Sequence, residues 1–443
     1  MSDQPGAAPT PSLSVLHGVA IVVGIVVGIG IFKTPSLVAS SVTSESAFIG
    51  VWLLGGLVTL IGALCYAELA AAHPHAGGEY HFLSRALGKP VAVLFGWARG
   101  TVIQTGAIAA VAFVFGDYAT EILSLGPYSS AIYAGLAIMA FTGLNLVGSI
   151  ESKTAQVGLT LLTVGALFAV VAVGFLSGVQ APPPAEAKPA GMGLGMAMIF
   201  VLLTYGGWNE AAYLSAEMRD VQRNMIRVLV YATAVLVALY VSVNAAFLSI
   251  FGLEGLRATN AVGADMMRLV AGDAGAMVLS VIVAAAALST LNATIFTGAR
   301  VYYALARDLA LVPRLGAWSD RGGNPANAIL LQGVIALALV VFGAATRNGF
   351  QSMVDYTAPV FWFFLFLVGV SLFVLRRREP DRALPFRVPL YPVTPALFCA
   401  TCLYMLYSSV AYTGSGALVG IAVVLAGLPL LLVNRTPQSA PAE

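Results

Sequence analysis

The sequence predicts an all-α polytopic membrane protein with twelve transmembrane helices. Three observations carry that expectation. Of the 443 residues, 59% are hydrophobic and only 9% are charged, where a soluble domain carries about 25% charged residues. The mean hydropathy is +0.89. The apolar runs are also about as long as the ~20 residues that a helix needs to cross a hydrocarbon core. With 22 Lys and Arg against 20 Asp and Glu the net charge is +2. That leaves no basic face for phosphates, which excludes a nucleic-acid binder. The same composition excludes a soluble enzyme and a disordered chain.

In chain order the predicted spans are 14–32, 47–68, 91–116, 131–147, 156–178, 192–215, 228–252, 274–299, 326–346, 355–375, 391–413 and 416–434, read from apolar runs of membrane length. Residues 1–13 form a tail before them and 435–443 a tail after them. Residues 1–12 contain no Lys or Arg, so the first apolar run reads as a transmembrane helix rather than a cleavable signal. Loops are marked by the Pro-rich stretch Ala181–Pro189, by Arg321–Pro325 and by Arg376–Pro389. Alternate loops hold 16 and 5 basic residues, with Arg99 inside the third span. The basic side is the cytoplasmic one, so both termini are expected to face the cytoplasm of the cell membrane. Cys65, Cys399 and Cys402 lie in apolar stretches and read as small buried residues, because nothing there stabilises a thiolate.

Two spans carry glycines in their interiors. The first reads Gly24-Ile25-Val26-Val27-Gly28-Ile29-Gly30-Ile31-Phe32 and the sixth reads Leu203-Thr204-Tyr205-Gly206-Gly207-Trp208-Asn209. Glycine disfavours a helix interior by ~1 kcal/mol, although small residues also serve close helix packing in membranes. The two clusters open two sets of five helices, 14–180 and 190–377, and residues 390–434 supply helices 11 and 12. Five is odd, so the sets run in opposite directions. Helices broken at matching places of an inverted 5+5 repeat point to a binding site between them.

These residues carry a resemblance. The run Val27-Gly28-Ile29-Gly30-Ile31-Phe32 resembles the Gly-Ser-Gly-Ile-Phe signature of the amino acid–polyamine–organocation (APC) transporters. Tyr66-Ala67-Glu68-Leu69 with Gly77-Gly78-Glu79-Tyr80 is similar to the end of that family's second helix and the loop after it. Tyr205-Gly206-Gly207-Trp208-Asn209, continuing through Glu217 to Arg223-Asn224, resembles the L-amino-acid transporter (LAT) branch. So do Leu291-Asn292 with Thr297-Gly298-Ala299-Arg300, and Arg376–Arg382 leading to Pro385–Pro392. The resemblance implies a LeuT fold, in which helices 1 and 6 are broken. It also implies that the side-chain pocket draws on the third, sixth, eighth and tenth helices.

The chemistry of such a site follows from the breaks. A half-helix beginning near Ile31 exposes backbone N–H groups and the positive end of its dipole. An amino acid's carboxylate is expected on the backbone of Val27, Gly28, Ile29 and Gly30. The half-helix ending near Leu203 and Gly206 turns carbonyls toward the α-ammonium group. Specificity is then left to side chains: Tyr205, Trp208 and Asn209 first, with Thr105 and Asn292 behind them. Trp208 is otherwise a core aromatic.

Ionisable residues within spans are functional candidates. Arg99 is expected to snorkel toward the cytoplasmic side. Glu210, after the second break, is positioned to cap the following half-helix or to relay protons. Glu68 and Glu217 are expected to pair with loop arginines. Many LAT-like proteins carry a Lys in the fifth helix, and the corresponding position here is Thr163. The carbonyls of Gly24 and Val27, with Ala286, Ser289 and Thr290, then resemble the second sodium site of sodium-coupled relatives. Ser289 and Thr290 equally well bond back to their own helix, leaving exchange or proton coupling. No His-Glu-x-x-His, Gly-x-Ser-x-Gly or Walker A motif occurs, so neither catalysis nor ATP drive is expected. Apart from Na⁺ or H⁺ as coupling ion, no cofactor is implied.

The expected function is secondary transport of neutral L-amino acids by exchange or ion coupling, with alternating access. A cationic amino-acid or polyamine carrier is the rival; an intramembrane enzyme or a channel fits less well. The neutral reading rests on Asn209, where the family's arginine and agmatine carriers have an acid. The bilayer is the protein's environment, and the sequence requires no partner subunit.

Overall fold

The computed structural model describes residues 14–75, 78–147, 153–184, 193–209, 218–309, 324–346, 348–382, 384–412 and 415–433, together with Gly191, Leu315 and Ala317. The two expected tails and the candidates Glu210 and Glu217 lie outside the described residues.

The first span begins as α1 (Val15–Val26), capped by Ser14, whose hydroxyl accepts the His17 N–H. Helical geometry stops at Val27 (ψ 82) and Gly28 (φ −110, ψ −166). A 3-10 turn, Ile29–Phe32, and α2 (Thr34–Ala39) with a proline in its first turn resume the direction. Ser44 caps α3 (Glu45–Ala72), accepting the Ala47 N–H at 3.2 Å, and Glu45 meets the positive end of the helix dipole. The short α4 (Gly78–Leu87) buries Glu79, Phe82, Leu83 and Ala86. Gly88, at φ 98, turns the chain into α5 (Lys89–Ala98).

Between α5 and α6 (Thr105–Ile122) the helix widens into a π-helical turn, Arg99–Gln104. Two tyrosines support it from other helices: Tyr302 donates its hydroxyl to the Gly100 carbonyl at 2.8 Å and Tyr356 to the Thr101 carbonyl at 2.9 Å. Side-chain donors of this kind are what stabilise a departure from the i to i−4 ladder. The next helices are α7 (Ser129–Val147), α8 (Lys153–Leu176) and α9 (Gly193–Thr204), which stops at the second glycine cluster.

Two long helices follow, each with one interruption. α10 (Val221–Ala258) leaves helical geometry at Gly252 (φ 60), and α11 (Val262–Leu309) does so at Gly272 (φ 67). The apolar runs expected at 228–252 and 274–299 therefore end and begin at these glycines. α12 (Ala326–Thr346) and α13 (Gly349–Arg378) come next, the latter ending on Arg376, Arg377 and Arg378, where cations suit the negative end of the dipole. α14 (Val393–Ala411), α15 (Ser415–Leu425) and α16 (Leu430–Val433) complete the described chain.

Among the described residues, eight helices are long and apolar enough to cross a membrane, and four shorter apolar stretches accompany them: Val15–Val26, Leu161–Leu176, Gly193–Thr204 and Gly416–Leu425. α1, α3 and α10 pack together, and α6, α7, α11 and α12 form a second group, with α13 against α6 and α14. α2 and α9 pack on each other. Large apolar side chains lie outward, such as Phe168, Val341 and Leu403, as expected where lipid replaces water around the helices. Cys65, Cys399 and Cys402 are buried and unbridged.

Glu68 lies buried near the end of α3. Arg376 grips both of its oxygens and the Val388 N–H donates to one of them, while the guanidinium covers the Tyr391 ring at 3.8 Å. The pairing expected for Glu68 is therefore made by Arg376, in the last turn of α13. Paired bidentately and hydrogen-bonded further, the charge is tolerated out of water.

Candidate functional site

The two glycine clusters break their helices and the breaks touch. Gly207 sits at φ 104, and a Cβ there would lie 3.1 Å from Ile25 Cγ2 and 3.6 Å from the Ile25 carbonyl. Only a residue without a side chain combines that backbone with that approach. At the first break the Val26 carbonyl, released from the helix, accepts the Tyr240 hydroxyl at 2.8 Å. Tyr240 packs against Tyr205 with the rings tilted by 54° and their centroids 5.1 Å apart. Beyond the break, Thr34 Oγ1 lies 3.0 Å from the Gly30 carbonyl and 2.7 Å from Thr204 Oγ1. Tyr118 donates to the Phe32 carbonyl at 3.0 Å. The unwound segments are thus held by hydroxyls from α6, α9 and α10.

A cavity of about 270 Å³ adjoins the second break. Its walls are apolar: Phe95, Ile103, Ala107 and Ala110 from α5 to α6, Ile199, Leu202 and Leu203 from α9, and Val354, Phe361, Trp362 and Leu365 from α13. Its polar groups are few, namely Glu79, Arg99, Gln104, Asn209 and Thr357. An apolar chamber with a small number of fixed polar groups is the ordinary form of a small-molecule site.

Three of those polar groups converge. Glu79 Oε2 accepts from Arg99 Nη1 at 2.8 Å, and Glu79 Oε1 accepts from the Tyr66 hydroxyl at 2.7 Å and from Asn209 Nδ2 at 3.0 Å. One carboxylate therefore joins α3, α4, the π-helical turn and the segment after the second break. Arg99, expected to snorkel, turns instead onto Glu79, because a nearby buried carboxylate offers it a stronger partner than a distant interface.

Of the residues expected to bind substrate, Leu203, Gly206 and Asn209 line the cavity. Val27, Gly28, Ile29 and Gly30 form the neighbouring break and do not line it. Tyr205 is fully buried and donates its hydroxyl to the Trp52 carbonyl at 3.2 Å. Trp208 is wedged between Tyr66 and Phe398, with centroids 4.9 and 6.4 Å away. Thr105 donates to the carbonyl of Thr101 at 2.6 Å, within its own helix. Asn292 accepts from Asn145 Nδ2 at 2.8 Å, joining α11 to α7. Among the coupling candidates, Thr163 is buried and bonds back to the Leu159 carbonyl at 2.9 Å. Thr290 likewise bonds back to the carbonyl of Ala286 at 3.0 Å. Gly24 lies in α1 and Ser289 in α11. The tenth helix that the resemblance pointed to is α13, which does wall the cavity, whereas sequence reasoning assigned no role to Glu79.

A second cavity, of about 500 Å³, is lined by Lys33, Ser36, Asp117, Ser130 and Asn260 among others. Lys33 Nζ lies 2.7 Å from Asp117 Oδ2 and donates to the Asn260 carbonyl at 3.2 Å, and Ser130 donates to Asp117 Oδ1 at 2.6 Å. A single lysine after the first break thus ties α6 to the α10–α11 connection.

Two separate chambers in a helical membrane protein, beside interrupted helices, suit a class of solute-moving membrane proteins. The amino acid permease family model matches residues 13–428, so the chain belongs to that family, whose members are transporters and not enzymes. It is similar to the serine/threonine exchanger SteT of Bacillus subtilis, 26% identical over 94% of this chain and 95% of that one. It is also similar to the human cystine/glutamate transporter (25% identical; 94% and 84% covered). The human large neutral amino acids transporter small subunit 2 matches at 25% identity, covering 98% and 82%.

Proposed function

We propose that this protein is a secondary active transporter of neutral L-amino acids, working by alternating access across the cytoplasmic membrane. The observation that carries the reading is the contact of the two helix breaks, Gly207 against Ile25 and Val26, beside an apolar cavity. Backbone N–H groups after Gly28 receive the substrate's carboxylate and carbonyls ending α9 receive its ammonium group. The side chain then projects into the cavity between α6, α9 and α13. The mostly aliphatic and aromatic lining favours neutral side chains, and Asn209 presents an amide where a charged ligand needs a counter-charge.

In this reading the chain has the LeuT fold. The eight long and four shorter apolar stretches make twelve spans, the first ten an inverted 5+5 repeat. Both termini face the cytoplasm, and the Glu79 cavity opens toward that side. The names of the serine/threonine exchanger and the large neutral amino acid transporter support neutral substrates and exchange. Thr163 and Thr290 bond back to their own helices, which supports exchange or proton coupling without a fixed sodium ion. No partner subunit enters the mechanism. The test is uptake of labelled leucine, serine, lysine and putrescine into proteoliposomes, with and without internal amino acid. Trans-stimulated uptake of the neutral pair is expected. Saturable lysine or putrescine uptake exceeding theirs would establish the cationic carrier instead.

A further inference from the structure

The ion pair at the end of the cavity has a property that neither partner has alone. Glu79 and Arg99 both line the chamber, and their contact leaves each charge compensated. Both oxygens of Glu79 are engaged, one by Arg99 and the other by Tyr66 and Asn209. Arg99 lies over the edge of the Phe95 ring, its Cζ 6.0 Å from the centroid. A ligand carboxylate entering here competes with Glu79 for the guanidinium. A ligand ammonium group competes with Arg99 for the carboxylate. In either case binding draws one partner out of the contact and weakens the charge compensation of the other in an apolar chamber, which is disfavoured. Neutral side chains meet no such penalty. Discrimination by this lost compensation, rather than by better contacts to the favoured ligand, is a general route to specificity.

We propose that Glu79 and Arg99 form a charge filter that sets which amino-acid side chains the cavity accepts. The proposal rests on the neutral amino-acid reading above and adds the residues that enforce it. It concerns the change that each charge makes. Glu210 follows Asn209 in the chain and lies outside the described residues. Removing the carboxylate as Glu79→Gln leaves Arg99 the more positive and shifts acceptance toward glutamate and aspartate. Removing the guanidinium as Arg99→Gln shifts acceptance toward lysine and arginine. The double variant takes away one charge of each sign and returns to neutral ligands.

The experiment uses the full chain in proteoliposomes, comparing uptake of leucine, glutamate and lysine by the wild type, the two single variants and the double variant. Ligand-dependent thermal stabilisation in detergent reads binding independently of transport. The glutamate-to-leucine ratio is expected to rise roughly tenfold in Glu79→Gln, and the lysine-to-leucine ratio to rise similarly in Arg99→Gln, a tenfold change being about 1.4 kcal/mol. Folded single variants whose ratios stay at wild-type values, or move in the same direction, overturn the filter. Should neither single variant fold, Asn209→Asp places an extra carboxylate beside Glu79 with the pair intact. A gain in lysine over leucine there supports the filter, and no gain overturns it. A wild type that prefers charged substrates defeats the neutral reading, while the opposed shifts between variants still judge the filter.

Discussion

Thr34 Oγ1 and Thr204 Oγ1 lie 2.7 Å apart, joining the segment after the first helix break to the last turn before the second. Thr204 also bonds back to the Phe200 carbonyl at 2.8 Å, and Thr34 reaches the Gly30 carbonyl. The two interrupted helices therefore share a polar contact at their breaks. Thr204→Val removes that contact with little change in volume. A hydrogen bond of this kind contributes about 1 kcal/mol net. Half-saturation by leucine should weaken roughly fivefold while the protein keeps its size-exclusion profile. An unchanged uptake curve would show that the contact plays no part in binding.

Gly30 and Gly207 should respond differently to the same change. A Cβ on Gly30 would stand 3.7 Å from Thr204, an ordinary contact, so Gly30→Ala should fold. Gly30→Val adds branches where the substrate carboxylate is proposed to dock, and should abolish binding while the protein remains monodisperse. Gly207→Ala faces both the φ of 104 and Ile25 at 3.1 Å. The backbone penalty alone is about 1–2 kcal/mol, so its melting temperature should drop clearly below that of Gly30→Ala.

Lys33 and Asp117 pair in the wall of the second chamber, each side chain partly exposed at 14% and 22%. Pairs in that setting contribute about 1 kcal/mol or less. Asp117→Asn should shift the balance of conformations roughly threefold toward the one in which this chamber is open. The measurement is labelling of a cysteine placed at Thr120 by a membrane-impermeant maleimide. Equal labelling rates with and without Asp117→Asn would show that the pair does not hold the chamber shut.

His73, immediately after α3, makes stability depend on pH. Burial, assisted by the nearby positive charge of Arg382, pushes its pKa from 6.5 down to about 4, although Glu379 acts the other way. Its buried Nδ1 has no hydrogen-bond partner among the described residues. As pH falls below 6.5 the unfolded chain takes up this proton and the folded one does not. The stability contributed by the neutral ring is thus complete above about pH 6.5 and is lost as pH falls toward 4. The loss is on the order of 3 kcal/mol at 1.36 kcal/mol per unit. Thermal stability in detergent should decline across that window, and His73→Gln should flatten the decline.

Coupling is checked by replacing Na⁺ with choline at constant pH. Full uptake is expected in choline, and Ser289→Ala should make no difference to that result. Uptake that needs Na⁺ and is lost in Ser289→Ala would assign the cation to the neighbourhood of Ala286, Ser289 and Thr290.

The elements that follow from local chemistry were legible in the sequence. Gly28 with Gly30 and Gly206 with Gly207 mark both breaks, and long apolar runs mark the helices. Asn209 was legible as a cavity residue because it directly follows a break. Glu79 and Arg99 were not legible as partners, because their meeting depends on α4 folding back beneath α5 and no periodicity encodes that. The resemblance pointed to the tenth helix, which is α13, but the residues on its cavity face were hidden for another reason. Val354, Phe361, Trp362 and Leu365 are apolar residues in an apolar helix, so nothing in their types separates a cavity face from a lipid face. Tyr205 and Trp208 show the converse: both sit at a break, yet aromatic neighbours claim them.

The wide turn at Arg99–Gln104 bears on how this chain tolerates a change in length. Each residue of an α-helix advances the rotation by about 100°. The extra residue accommodated here therefore sets the direction in which everything before it points relative to α6. Deleting one residue between Gly100 and Ile103 would yield a more regular helix, and it would swing Arg99 away from Glu79 by about that angle. In a loop, a deletion of one residue alters only a connection. In this turn it would improve the local geometry while disarming the chamber, so helical regularity and the aim of a single guanidinium favour opposite chain lengths.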